Sequence, residues 1–338
     1  MAREASNSLA THMTHPVPTY RLEGISPRAF QHPADRAATA ALRQVPHLDA
    51  VIRKLIELGY ERALRQAYLG SAVRLGQHQL PHIWVLHREM LNVLDLGEAP
   101  DLYLTQFPIA NAATIGSGKP IVVMNSELVR LLDDDGLRVV LAHEAAHVLS
   151  DHVLYGTALA ILLRLSLTVR LPILAGLPVL AVRSALLEWS RAAELSCDRA
   201  SALATRDPLS VCRTLMTISA GEAADRLSLD AFVAQALDYD ERGSGLERLT
   251  RLLVHLNITH PMPVRRVNQL MTWVRGGDYD RIVGGQYMRR GEEPPLREET
   301  DAAGAHYAER VRNAFRDAGE SIADVGRQLG DWLSRQRD

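Results

Sequence analysis

The sequence predicts an α+β protein, predominantly helical, with a small β-sheet and, at its centre, a helix carrying a paired-histidine motif. Three observations carry this expectation. Apolar residues recur at helical spacing through much of the chain, as in Val51, Leu55, Ile56 and Leu58, then Leu64, Ala67, Tyr68 and Ala72. Two short stretches, Leu102–Thr105 and Ile121–Met124, are rich in β-favouring residues. Finally, His143-Glu144-Ala145-Ala146-His147 sets two imidazoles four residues apart, on one helix face and one turn apart.

Taken in order, residues 1–26 are polar and without periodicity, the pattern of a flexible tail. Helices are expected over 36–44 and 48–74, and another runs from Leu80 to Leu94, closed by Leu96-Gly97. His78, His82 and His87 show no metal-ligand spacing with any nearby acid and read as surface or core histidines. Between the two strands, Gly116-Ser117-Gly118-Lys119-Pro120 resembles a phosphate loop only superficially. Ala113 stands where that motif needs glycine and Pro120 where it needs Ser or Thr, so the stretch reads as a hairpin turn. Asp133-Asp134-Asp135 supplies an N-cap and an acidic first turn for the paired-histidine helix, whose apolar stripe is Leu137, Val140, Leu141 and Val148.

The chemistry follows from that helix. His143 and His147 can point at one tetrahedral zinc, and Glu144, rotated by about a third of a turn, can sit beside the metal without ligating it. A general base for metal-activated water belongs there. A catalytic zinc takes three protein ligands, so a third must come from elsewhere. A histidine six residues after His147 is excluded, because that position is Val153. A glutamate on a later helix is the common alternative, and Glu194 provides one, with Asp198 a turn further on to accept the outer N–H of a ligating histidine. Cys197, three residues from Glu194, is the rival third ligand. Without the upstream motif, Glu194 and Asp198 would read as a solvated helix face.

These motifs together resemble the HtpX-like and CAAX-prenyl-protease group of gluzincin zinc metalloendopeptidases. The resemblance covers about Asp101 to Leu270. In that group H-E-x-x-H is followed by E-x-x-x-D, often preceded by Ser-Arg, as at Ser190-Arg191, and a histidine often lies where His152 stands here. Asn111-Ala112 matches an Asn-Ala on the edge strand of the group's small sheet. Thr259-His260-Pro261-Met262-Pro263-Val264-Arg265-Arg266-Val267 matches a downstream T-H-P-P-x-x-x-R-I. Ala146 replaces a frequent glycine, Gly136 an acidic residue and Met262 the second proline, and none of these changes removes a reactive group. The resemblance implies a gluzincin-type zincin fold and hydrolysis of peptide bonds with one zinc per chain. It implies a protein or peptide substrate bound as an extended strand along the edge at Asn111 and Ala112. It also places His260 near the site, as an oxyanion donor or as a helix cap. Arg266 reads as an ion-pairing residue securing that loop, and His152 as a structural residue whose position near a helix end suits the dipole.

The formal charge of −2 gives no reason to expect nucleic acid as a partner. Cys197 and Cys212 make no disulfide framework, and no secretory signal is evident, so a cytoplasmic chain is expected, with peripheral membrane association left open. Domain organisation reads as a metallopeptidase domain over 27–275, a Gly- and Pro-containing linker over 276–300, and an amphipathic C-terminal helix over 301–338. That helix carries Tyr307, Val311, Phe315, Ile322, Val325, Leu329 and Trp332, a stripe suited to packing on its own domain or to self-association. An apolar segment, 153–189, is inserted between the metal helices. Arg164, Arg170 and Arg183 interrupt it, and so do Pro172 and Pro178, which favours a helical hairpin buried in protein or lying at an interface over a membrane-spanning pair. Two further functional readings stand beside the peptidase: an inactive, chaperone-like scaffold of the same fold, and a metal-stabilised scaffold at a membrane.

Overall fold

The computed structural model describes residues 20–43, 52, 59–116, 118–168, 173–238, 262–293 and 309, excepting the side chains of 60, 64, 164–168, 173–182 and 184. A four-stranded sheet forms from β1 (Val73–Arg74), β2 (Asp101–Thr105), β3 (Ala112–Ile115) and β4 (Ile121–Asn125), in the order β1-β2-β4-β3. The two strands read from the sequence, β2 and β4, pair in parallel, with Tyr103 opposite Val123. The expected turn at 116–120 is present, but the strand it joins to β4 is β3, antiparallel, with Ile115 opposite Ile121. Gly116 opens that turn at φ +114°, where a Cβ would also lie 3.1 Å from the Lys119 carbonyl.

Helices cover both faces of the sheet, so β4 is buried along four consecutive residues. Leu102, Val122 and Met124 face one core with α3 (Pro81–Val93), α5 (Asp134–Leu149) and α8 (Pro208–Ala220), and α10 (Pro263–Arg275) and α11 (Asp278–Val283) contribute to it. Tyr103, Ile121 and Val123 face a second core with α1 (Pro33–Arg43), α6 (Val153–Thr168) and the middle of α7 (Ile173–Thr205). The remaining helices are α2 (Tyr60–Ser71), α4 (Ser126–Leu131) and α9 (Leu229–Asp238). The 33-residue α7 serves both cores: Ala185 to Ala193 lie in the second, Cys197 to Ala204 in the first. The second arm of the expected hairpin and the helix of Glu194 are thus one continuous helix.

Three boundaries differ from expectation. Of the helix read over 48–74, the described part ends at Ser71, and Val73-Arg74 instead pair with β2. In the expected tail, Leu22 and Ile25 are fully buried, because their side chains complete the first core. The expected linker over 276–300 is packed in part: Tyr279 and Ile282 on α11 are buried and Ile25 bridges Arg289, while 289–293 are exposed. Composition read these segments as loops because their apolar residues are few and widely spaced. The helix expected over 301–338 lies, apart from Glu309, outside the described residues. Among the described residues no single helix is long and apolar enough to cross a membrane.

Candidate metal and active site

The site forms where α5 crosses α7, a pair packed through small residues. Ala142, Ala145 and Ala146 on α5 and Ala193 and Ala200 on α7 are almost wholly buried, so the axes approach closely and short side chains bridge them. Register on α5 is fixed at its start, where the Asp133 carboxylate accepts the Gly136 N–H at 2.9 Å. Losing such a cap typically costs ~1 kcal/mol.

His143, Glu144 and Glu194 are buried, and His147 lies beside them. Nε2 of His143 lies 3.4 Å from one Glu194 oxygen, and Nε2 of His147 lies 3.4 Å from the other. Two ligand atoms, each about 2.0–2.1 Å from a tetrahedral metal, stand about 3.4 Å apart. Each histidine thus stands from Glu194 at the spacing of two ligands on one metal, though each approaches a different oxygen. Cys197 also belongs to this neighbourhood, with a ligand atom within 4.8 Å of the two histidines. Its thiol is wholly buried, and burial, reinforced by Glu194 and Asp35, pushes its metal-free pKa well above the ordinary value. Glu194 and Cys197 are thus the two candidates for the third ligand.

Asp198 and Arg266 surround His143. Arg266 donates to both Asp198 oxygens, at 2.8 and 2.5 Å, and its third guanidinium nitrogen lies 3.3 Å from Glu194. Nδ1 of His143 lies 3.3 Å from Asp198. Burial works to lower the His143 pKa, but the charge of Glu194 and the hydrogen bond to Asp198 outweigh it and take the value to about 9. His147 moves the other way: burial dominates, despite its contact with Glu194.

Glu144 projects toward β3, where the Thr114 hydroxyl donates to its carboxylate at 2.7 Å. Ala112 and Thr114, two residues apart, share that face of the strand. β3 is an edge strand, and its free edge borders a cleft of about 300 Å³ containing Asn111, Ala112, His143, Glu144 and Glu194. Val140, Val211, Leu215 and Ile218 give the cleft an apolar lining. His260 lies outside the described residues, while Met262 and Pro263, just beyond it, line the cleft.

Sequence reasoning missed Thr114, because nothing in a short Ala-rich strand marks its one hydroxyl. His152, read as a structural residue near a helix end, is buried, and its ring lies between His147 and Asp35. The helix-dipole reading gives way to a side-chain network.

Residues 82–274 match the family model described as Peptidase family M48. The chain belongs to peptidase family M48. This M48 peptidase is 34% identical over 272 residues to "Plastoglobule-localized metallopeptidase 48, chloroplastic" of Arabidopsis thaliana, an alignment covering 79% of this chain and 78% of that protein. No solved structure matches. The gluzincin resemblance, the mainly helical fold with a small mixed sheet, and the reading as a zinc-dependent metallopeptidase are borne out, and its substrates are proteins or peptides. One expectation falls: the relative is named for a plastoglobule of the chloroplast, which overturns the cytoplasmic reading.

Proposed function

We propose that this M48 peptidase is an endopeptidase in which His143, His147 and Glu194 hold one zinc per chain and Glu144 is the general base. The observation that carries the reading is the pair of 3.4 Å approaches from the two histidines to the two oxygens of Glu194, with Glu144 beside them. When bound, zinc would supply Lewis acidity, polarising the scissile carbonyl and bringing the pKa of a water down to ~7. Glu144 takes the proton from the attacking water and returns it to the leaving amine, and the Thr114 hydroxyl holds its carboxylate in place. The substrate backbone pairs with the free edge of β3 near Asn111 and Ala112, and a side chain enters the apolar cleft. His260 is retained, on the resemblance alone, as a donor to the developing oxyanion. Asp198 and Arg266 orient His143 from behind.

Metal removal tests this reading. A chelator should abolish cleavage of an unstructured protein, and added zinc should restore it. Cleavage that persists in metal-free protein would overturn it.

Metal loading also has a predicted pH dependence. The metal-free His143 pKa is raised, from 6.5 to about 9, so its proton stabilises the fold fully below 6.5 and that contribution is lost as pH rises through about 9. Zinc must displace this proton. Zinc affinity should therefore rise by up to ~10-fold per pH unit between those values, with about one proton released per zinc bound from His143. Competition titrations against a chelator of known affinity would show this slope, and a flat profile would contradict it.

A further inference from the structure

Asp35 sits in the first turn of α1, outside the residues 82–274 that match the family model, yet it is connected to the metal site. It is fully buried and receives donors from three directions. The Ser196 hydroxyl lies 2.7 Å and His152 Nε2 3.0 Å from its Oδ2, and the Thr39 hydroxyl lies 3.2 Å from its Oδ1. An ionised carboxylate only accepts hydrogen bonds, so His152 donates from Nε2. The other His152 nitrogen, Nδ1, faces Nδ1 of His147 at 3.3 Å. In a neutral imidazole protonated on Nε2, Nδ1 is an acceptor. His147 then donates from its own Nδ1 and turns a bare Nε2 toward Glu194. A metal ligand needs that nitrogen in that tautomer.

We propose that Asp35 and His152 are positioning residues that hold His147 as its Nδ1–H tautomer with Nε2 free for the metal. The N-terminal helix α1 is thereby a working part of the metal site. Each ligating imidazole reaches a carboxylate, His143 directly at Asp198 and His147 through a second imidazole at Asp35. The arrangement is braced from further out. Trp189 donates to the Thr39 hydroxyl at 2.9 Å, and the His32 backbone N–H donates to Ser196 Oγ at 2.9 Å. Asp151, in the left-handed region at φ +57°, reverses the chain after α5 and brings the His152 ring back against His147.

This inference rests on the ligand set proposed above, but its readouts involve no turnover. In the metal-free full-length protein, ¹⁵N NMR of labelled histidines should find the His147 proton on Nδ1, and a proton on Nε2 would overturn the proposal. Asp35→Asn keeps the shape and removes the carboxylate. It should lower zinc affinity by ~10–100-fold and give His147 a mixture of tautomers. If Asp35 only ties α1 to α7, the variant will melt earlier with zinc affinity and tautomer unchanged, which would also overturn the proposal. Should the variant fail to fold, the tautomer in the unmodified protein decides alone. A parent chain with the expected tautomer and tight zinc, but no cleavage, would sink the peptidase reading and leave this one standing.

Discussion

Glu144→Gln is expected to abolish peptide hydrolysis while leaving the fold and the bound metal intact. The amide has nearly the same shape as the carboxylate and can still accept from the Thr114 hydroxyl, which donates at 2.7 Å in the parent. It cannot take a proton from water at neutral pH. Positioned general bases contribute typically ~10²–10⁴-fold, so cleavage should fall by at least ~10²-fold. Glu144 is not among the side chains whose nitrogens and oxygens stand 3.4 Å apart, so zinc content should match that of the parent. Assays of an unstructured protein substrate, with metal analysis on the same samples, separate these effects. Equal cleavage by parent and variant would reject Glu144 as the base. If neither cleaves while both bind zinc and peptide, the chaperone-like scaffold becomes the better account.

The parts legible in the sequence were those with local signals. Helix α5 could be bounded because Asp133 to Asp135 cap it and because its apolar stripe has one period. The two histidines and Glu144 follow from the geometry of that one helix. β3 was not legible as a strand from its own residues. Ala112-Ala113-Thr114-Ile115 has weak strand preference, and its place is set by pairing with β4, a long-range choice. The parallel pairing of β2 with β4 was hidden for the same reason. The network behind His147 joins residues 35, 152 and 196, and no local spacing can reveal it. One signal was present: on α1 the buried face comprises Ala34, Ala38, Ala41 and Leu42, and Asp35 lies within it. An acid on the apolar face of a helix demands a partner, because burying an unpaired carboxylate is very costly.

Glu194→Ala and Cys197→Ser should separate sharply in metal analysis, and the contrast decides the third ligand. Glu194 offers one oxygen to each histidine at 3.4 Å, and its removal leaves two imidazoles, too few to hold zinc in a three-ligand protein site. The same substitution leaves Arg266 with its two-point pair to Asp198, so the fold should survive the loss. Cys197 Sγ lies 3.8 Å from Nδ1 of His152 and within 4.8 Å of a ring nitrogen of each metal histidine. Without metal, burial and the carboxylates around it raise its pKa, so ligation there would cost a proton that the Glu194 carboxylate does not carry. Serine is close to cysteine in size, so Cys197→Ser should keep nearly full zinc and measurable cleavage. Glu194→Ala should lose most of its zinc after dialysis against a weak chelator and, with it, all cleavage. Zinc retained by Glu194→Ala and lost by Cys197→Ser would transfer the third ligand to the thiolate of Cys197.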